Sequence, residues 1–123
     1  MDVSTFDTFG AQRLTSGPEL LYALLEGGLA DTISTDYAGG YHDAILLAID
    51  RAAKAGVVGL PAAIAMATAN VADAIPGVAP RRGRLTAGAV ADIVLTDQAD
   101  LPRVRTVIIG GETVVRDGGR VTA

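Results

Sequence analysis

The hydrophobic pattern of this chain changes its period near residues 76–82. Before that point, apolar residues recur every three or four positions, the spacing of helices that bury one face. After it, short runs rich in Val and Ile alternate with Gly-containing turns, a pattern typical of antiparallel strands. The sequence therefore predicts an α/β segment over the first two thirds of the chain, residues 1–80, and antiparallel strands over residues 81–123.

Three helices and one strand are predicted in the first segment. A helix is predicted to begin after Ser16 as its N-cap, with Glu19 completing a capping box, and to end at the glycine pair at residues 27–28. A second runs from Asp43, as its cap, to about residue 55. Between them, residues 29–35 read as a short buried strand. A third helix is predicted over residues 60–75, with an apolar face formed by Ile64, Ala67, Val71 and Ile75.

The second segment contains predicted strands at residues 91–96, 104–109 and 112–116. Gly110 and Gly111 form a two-residue hairpin turn between the last two. Asp92 and Asp97 are expected to bond to backbone and turn groups at strand ends. Strands this rich in Val and Ile need a covering layer, which three or four strands of this chain hardly supply.

Size, charge and cysteine content exclude several classes of function. The chain has 123 residues, less than half of an ordinary eight-fold barrel. Its net charge of −4 and the lack of a long basic run argue against a nucleic-acid partner. The N-terminal residues do not form a secretion signal, and apolar runs fall short of a membrane span, so we expect a cytoplasmic protein with no membrane partner.

A complete transition-metal site is not expected within this chain. Zinc sites take three or four ligands from His, Asp, Glu and Cys. The sequence has one histidine, no cysteine, and neither an H-x-H nor an H-E-x-x-H motif. Tight metal binding by the chain alone is therefore not predicted.

Candidate functional residues follow the strand predicted over residues 29–35. Asp36 comes directly after it and precedes a Gly-rich loop and a helix, so it is either a turn residue or a group at the catalytic edge of a sheet. His42 is either a substrate contact or a solvated loop residue. Tyr37 could line a pocket or cover the rim of a barrel. The residues alone leave these alternatives open.

Four segments, in this order, resemble the C-terminal part of the metal-dependent amidohydrolases, the superfamily of the urease and dihydroorotase type. They are Ile-Ser-Thr-Asp at residues 33–36, Leu-Pro-Ala-Ala-Ile-Ala-Met-Ala-Thr-Ala-Asn at residues 60–70, Ala-Gly-Ala-Val-Ala-Asp-Ile-Val-Leu at residues 87–95, and the Val- and Ile-rich hairpin at residues 104–117. Together the four segments cover most of the chain. The resemblance implies the last strand–helix units of a (β/α)8 barrel in residues 1–80 and short antiparallel strands of the C-terminal β-sandwich in residues 81–123.

The resemblance also implies a reaction and a role for Asp36. In the family, the aspartate that ends the eighth strand contacts the catalytic metal, typically zinc, and accepts a proton from the attacking water. The reaction is hydrolysis of a C–N bond in a small molecule, and Asp36 occupies the matching position. The remaining ligands of the family, an H-x-H pair, a bridging Lys or Glu and two more histidines, are not found in this sequence.

Two hypotheses follow for the chain as a whole. It is the C-terminal part of an amidohydrolase, as a fragment or one half of a split enzyme, which is inactive alone and needs the missing barrel segment. Alternatively, it is a non-catalytic α/β interaction or oligomerisation module derived from that family, stabilised by self-association. A nucleotide-binding domain is disfavoured, because the chain contains neither a G-x-G-x-x-G motif after a strand nor a P-loop lysine.

Overall fold

The structure, a computed structural model, describes residues 1–5, 18–35 and 43–121. Four helices and two sheets make up these ranges. The α/β part contains β1 (Asp2–Ser4), α1 (Glu19–Glu26), β2 (Thr32–Ser34), α2 (Ile45–Lys54), α3 (Leu60–Met66) and α4 (Ala69–Ala74). The C-terminal part contains β3 (Ile93–Thr96), β4 (Val104–Ile109), β5 (Glu112–Arg116) and β6 (Gly119–Arg120). The predicted order of an α/β segment followed by antiparallel strands is confirmed.

Strands β1 and β2 are parallel neighbours, with Val3 opposite Ile33. Parallel strands need a crossover connection, and the described part of this one is α1. Val3 and Ile33 are buried on the helix side of the pair. On the alternate positions the Asp2 carboxylate accepts hydrogen bonds from the hydroxyls of Thr32 and Ser34, both at 2.6 Å. The pair therefore has one apolar face and one polar face.

The hydrophobic core lies between this sheet and helices α1, α2 and α3. Burying a Leu or Ile side chain stabilises a fold by roughly 1.5–3 kcal/mol. Small side chains allow the helices to approach closely, since three of the alanines in these helices are fully inaccessible to solvent. The buried cluster comprises Val3, Leu21, Leu25, Ala30, Ile33, Ile49, Ala52 and Ala63.

The single helix predicted over residues 60–75 is wrong, because the chain breaks into α3 and α4 at Thr68. This residue leaves the helical region (φ −134°, ψ −85°), and its hydroxyl donates to the carbonyl of Ile64 at 2.8 Å. Such side-chain bonding back to the preceding turn competes with the regular helix ladder. The predicted apolar face is also displaced. Ile64 and Ile75 are 38% and 49% exposed, and the buried residues are Ala63 and Ala72.

The antiparallel sheet has the order β3-β4-β5-β6. Gly110 and Gly111 join β4 to β5 with positive φ values of 59° and 89°, which confirms the predicted hairpin turn. Register shifts interrupt the ladder between Leu95 and Thr96 and between Val107 and Ile108. These irregularities bend and twist a sheet that is otherwise short.

In the part of the chain that the structure describes, no position of the antiparallel sheet is fully buried. All of the buried hydrophobic residues in the described ranges precede residue 76, and strands β3–β6 contain only half-buried and exposed positions. Val94, Leu95 and Ile109 are each more than half exposed. Within residues 1–5, 18–35 and 43–121, the sheet thus has no complete covering layer of the kind that the sequence indicates it requires.

The segment between α4 and β3 packs closely against α4. Gly83 has a φ of 79°, and a Cβ atom there would lie 2.6 Å from the Cβ of Ala72 and 2.9 Å from the carbonyl oxygen of Thr68. Ion pairs join Arg84 to Asp73 and Arg82 to Asp92. This close backbone approach requires glycine at position 83.

Hydrogen bonds from polar side chains hold the ends of several elements. Asp92 accepts the backbone N–H of Gly110 at 2.8 Å, which confirms its predicted structural role. The Asn70 side-chain amide donates to the carbonyl of Asp31 at 2.8 Å and so ties α4 to the start of β2.

None of the helices in the described ranges has the length and hydropathy of a membrane span.

Candidate functional site

The carboxyl ends of β1 and β2 lie side by side at one edge of the parallel sheet, with Ser4 opposite Ser34. In α/β folds with parallel sheets, ligands bind outside the carboxyl ends of the strands, where the loops converge. The residues that follow the two strands at this edge are Thr5 and Thr35. This edge is the candidate functional site.

Thr5 makes two hydrogen bonds at this edge, one through its backbone and one through its side chain. It is fully inaccessible to solvent. Its backbone N–H donates to the carbonyl of Ser34 at 2.8 Å, which extends the strand pairing by one bond. Its hydroxyl donates to the backbone carbonyl of Asp43 at 2.7 Å. The end of β1 is thereby joined both to the end of β2 and to Asp43, two residues before the start of α2.

The prediction that Asp43 caps α2 is wrong. Ala44 holds the cap position in an extended conformation (φ −65°, ψ 138°), and the cap lacks a side-chain hydrogen bond. Asp43 lies one position earlier and is only 2% exposed. Ala44, rather than Asp43, directly precedes the helix, while the backbone carbonyl of Asp43 accepts the Thr5 hydroxyl at the sheet edge.

Three residues predicted to act at the site, Asp36, Tyr37 and His42, lie outside the described residues. The sequence brings the chain to Asp36 two residues after β2 ends at Ser34. That position is compatible with an aspartate at the carboxyl end of a barrel strand. The roles of Asp36 as ligand and proton acceptor, and of Tyr37 and His42 as substrate contacts, stay predictions.

Metal-ligating side chains do not gather elsewhere in the described ranges. No group of three or more His, Cys, Asp or Glu residues lies together within residues 1–5, 18–35 and 43–121. The residues that the structure describes therefore do not fit a complete metal site. A metal at this edge would need ligands beyond them.

Asp97 is a structural carboxylate at the end of β3, as predicted. One of its oxygens accepts the backbone N–H of Ala99 at 3.0 Å, and the other accepts the Arg105 guanidinium at 2.7 Å. The hydrogen bond from Arg105, followed by that from Ala99, holds the pKa of Asp97 below its usual value of 3.8. This carboxylate is therefore a poor proton acceptor at neutral pH.

A cavity of about 440 Å³ opens between α2 and the turn after β3. Its lining includes Asp50, Lys54 and Asp97 together with Leu60 and Leu101. Asp50 and Lys54 pair with each other at 2.8 Å, and Asp97 pairs with Arg105. The carboxyl-edge residues are not part of this lining, so the cavity is separate from the candidate site.

Comparison with known proteins assigns the chain to a family. The model of the amidohydrolase family matches residues 8–114, which is most of the chain. The chain therefore belongs to the amidohydrolase family, as the motifs predicted. A search of curated protein sequences gave no significant match.

Three solved structures have the same fold. A β-aspartyl dipeptidase from the thermophilic keratin-degrading Fervidobacterium islandicum AW-1 aligns over 99% of this chain with a TM-score of 0.74 and 23% identity. The same kind of enzyme in complex with a β-Asp-Leu dipeptide aligns over 99% with a TM-score of 0.72 and 21% identity. A D-hydantoinase aligns over 95% with a TM-score of 0.67 and 16% identity. This chain spans 32%, 34% and 35% of those chains, respectively, or about one third of each.

Sequence reasoning did not identify Thr5 as a site residue. The alternation of buried Val3 and Thr5 with exposed or half-buried neighbours is the period-two signal of a strand. Over so few residues this signal is weak, and it becomes informative only once the parallel pairing with β2 is known. The contact with Asp43 spans 38 positions and has no local signature.

Proposed function

We propose that this chain is the C-terminal third of a metal-dependent amidohydrolase that hydrolyses a C–N bond of a small molecule. The observation that carries the proposal is the parallel β1–β2 pair in a chain of this family, with Asp36 two residues beyond the carboxyl end of β2. The isolated chain is inactive, since most of a barrel and most of a metal site must come from elsewhere.

In this proposal, residues 1–80 form the last strand–helix units of a (β/α)8 barrel and residues 81–123 form strands of a β-sandwich. Two features support this division. A two-stranded parallel sheet is incomplete by itself, since parallel sheets are normally covered on both faces. The uncovered sheet β3–β6 likewise needs a second layer. A segment supplying the rest of the barrel and that layer is the partner we propose.

Asp36 accepts a proton in the proposed reaction. Water attacks the carbonyl carbon, its proton passes to the Asp36 carboxylate, and the same proton then goes to the leaving nitrogen as the C–N bond breaks. Proton and electron pairs balance without another reactant. A divalent cation, zinc in many such enzymes, would lower the pKa of the attacking water. Asp36 would be one of its ligands, and the others would come from the missing segment. Tyr37 and His42 contact the substrate.

The substrate class is a small amide, cyclic amide or related compound. The two dipeptidase structures and the D-hydantoinase share the fold, but their sequence identities are too low to indicate which substrate this chain would act on. They nevertheless define a practical panel, consisting of β-Asp-Leu as an open-chain substrate and a hydantoin as a cyclic one.

The experiment joins this chain to a segment supplying the other two thirds of the barrel, in cis or as a second chain, and measures hydrolysis of both substrates with added zinc. Asp36→Asn is expected to lower kcat by several orders of magnitude, because Asn is neither an anionic ligand nor a proton acceptor at neutral pH. Asp31→Asn is the matched control. Asp31 precedes the same strand at its opposite end, and its side chain is 78% exposed. Activity retained within a few-fold in Asp36→Asn would refute the proposed role.

The alternative, a non-catalytic interaction or oligomerisation module, is favoured by one observation, the uncovered sheet. If the assembled protein hydrolyses neither substrate while this chain forms a stable complex with itself, the module is the better description. Light scattering of the isolated chain supplies that second measurement.

A further inference from the structure

The face of the β1–β2 pair that points away from the helices is polar and carries one carboxylate. Asp2, Thr32 and Ser34 lie on it, at the positions that alternate with the buried Val3 and Ile33. One oxygen of the Asp2 carboxylate accepts the Thr32 hydroxyl and the other accepts the Ser34 hydroxyl, both at 2.6 Å. We name this surface of three residues the Asp2 face.

The two hydroxyl donors use only part of the acceptor capacity of the Asp2 carboxylate. An ionised carboxylate has about four lone pairs, two on each oxygen, so each oxygen can accept one more hydrogen bond. Hydroxyl groups are neutral, and they do not balance the negative charge. The ion pairs within residues 1–5, 18–35 and 43–121 do not include Asp2. The Asp2 face is therefore an anionic surface with one open acceptor position on each oxygen.

The Asp2 face is one of the two faces of a parallel sheet, and such sheets are normally covered on both. Helices cover the other face, and this chain spans about one third of the compared chains that share its fold. A segment that covers the Asp2 face takes the carboxylate out of water, and a buried ion without a counter-charge is strongly destabilising. That segment must therefore supply a cation. An arginine guanidinium suits the site, because its planar fork can donate one N–H to each carboxylate oxygen.

We propose that the Asp2 face is a docking surface for a strand that presents an arginine or lysine side chain to the Asp2 carboxylate. The inference rests on the proposed function in one respect, since the strand belongs to the missing part of the barrel. Within the described residues, β1 and β2 pair only with each other, so a further strand can be added at the free edge of β1. An added strand lies about 4.8 Å from its neighbour, which places a long basic side chain within reach of Asp2.

The first test selects partners for the 123-residue chain from a phage-displayed library of short extended peptides. Alternate positions are fixed as Val, to pack on the helix side, and the positions between them are randomised, to meet the Asp2 face. We expect Arg and Lys to be enriched at a randomised position with the wild-type chain, and Asp and Glu to be enriched with Asp2→Lys. Equal Arg and Lys frequencies with the wild-type and Asp2→Asn chains, enrichment of apolar residues with both, or the selection of no peptide overturns the inference.

The second test compares a selected arginine peptide with the same peptide carrying citrulline, the neutral isostere of arginine. In fluorescence anisotropy at low salt, the wild-type chain is expected to bind the arginine peptide about tenfold more tightly, and Asp2→Asn to bind the two within about twofold. Glu26→Gln is the matched control, because it removes the same charge from an exposed residue of α1, on the helix side of the sheet. It should retain the preference for arginine.

A salt titration of the wild-type chain needs no variant, and it decides the question if Asp2→Asn does not fold. Added salt is expected to reduce the preference for arginine over citrulline, because it screens the attraction between the charges. Equal affinity of the wild-type chain for the two peptides at low salt, or a preference that salt leaves unchanged, overturns the inference.

These measurements report binding and are independent of hydrolysis, so the two possible failures are distinguishable. If the arginine preference depends on Asp2 but the assembled enzyme hydrolyses neither substrate, the docking surface stands and the proposed function fails. If the assembled enzyme is active and loses activity in Asp36→Asn, while the wild-type chain has no preference for arginine, the proposed function stands and this inference fails.

Discussion

Replacing Gly83 by alanine should be one of the most damaging single-methyl changes in the segment that joins α4 to β3. A Cβ atom at this position would lie 2.6 Å from the Cβ of Ala72 and 2.9 Å from the carbonyl oxygen of Thr68. Both distances are far below van der Waals contact, and one of the atoms belongs to backbone. The backbone angle φ of 79° adds strain for any residue with a Cβ.

The expected magnitude comes from two separate effects. The positive φ costs about 1–2 kcal/mol for an L-residue, and overpacking costs about 1–3 kcal/mol more. Gly88→Ala provides the matched control, since Gly88 has a similar φ of 86° but open space where its Cβ would lie. Gly-to-Ala changes also restrict the unfolded chain, but this stabilising effect is the same for both variants. Gly83→Ala should therefore be less stable than Gly88→Ala by about 1–3 kcal/mol.

Urea unfolding followed by circular dichroism measures this difference directly. For a chain of this size, 1 kcal/mol corresponds to roughly 4 °C in Tm, so a thermal melt gives an independent check. Free energies of unfolding that agree within about 0.5 kcal/mol for the two variants would show that the segment does not pack against α4 as described.

Three further outcomes are expected. Because Arg105 lowers the pKa of Asp97, the carboxylate stabilises the fold above its ordinary pKa of 3.8, and this contribution is lost as the pH falls through the lowered folded value. Asp97→Asn should thus lower the free energy of unfolding at pH 7, and its difference from the wild type should shrink in acid. Equal differences in urea unfolding at pH 7 and pH 2 would contradict this. Asn70→Ala removes the bond to the carbonyl of Asp31 and should cost about 0.5–1.5 kcal/mol in the same assay, whereas an unchanged midpoint would show that the bond is dispensable. Calorimetric titration of the isolated chain with zinc should show no stoichiometric sub-micromolar site, and finding one would contradict the proposal that most ligands lie elsewhere.

Local signals in the sequence were sufficient to predict the turns and helix ends that depend on particular residue types, such as glycine. The Gly110-Gly111 pair between Val- and Ile-rich runs predicted the hairpin, because its turn requires two residues at positive φ and few other residues tolerate that. The end of α1 at a glycine pair was likewise readable, whereas its predicted N-cap, Ser16, lies outside the described residues and Pro18 holds the cap position. The family motifs depend on this same short-range chemistry and identified the family correctly.

Features set by distant contacts were not readable. The break at Thr68 coincides with a hydrogen bond from its hydroxyl to the carbonyl of Ile64, and the burial of Ala63 and Ala72 depends on what packs against them. In a helix this rich in alanine, nearly every face is compatible with burial, so periodicity does not decide the orientation. Asp43 was misassigned for a similar reason, since its backbone carbonyl bonds to Thr5, which lies 38 residues earlier.

The uncovered antiparallel sheet has a consequence for the order of assembly. All its pairings join residues within 93–120, so the strands can find one another by short loop closures before distant parts of the chain meet. The parallel pair, by contrast, joins positions 30 residues apart through a buried core. The register of the sheet, including its two irregularities, is then already set when a covering layer arrives. The side chains of that layer must pack against a sheet surface that has already formed. The shape of this surface therefore limits which substitutions a covering segment tolerates.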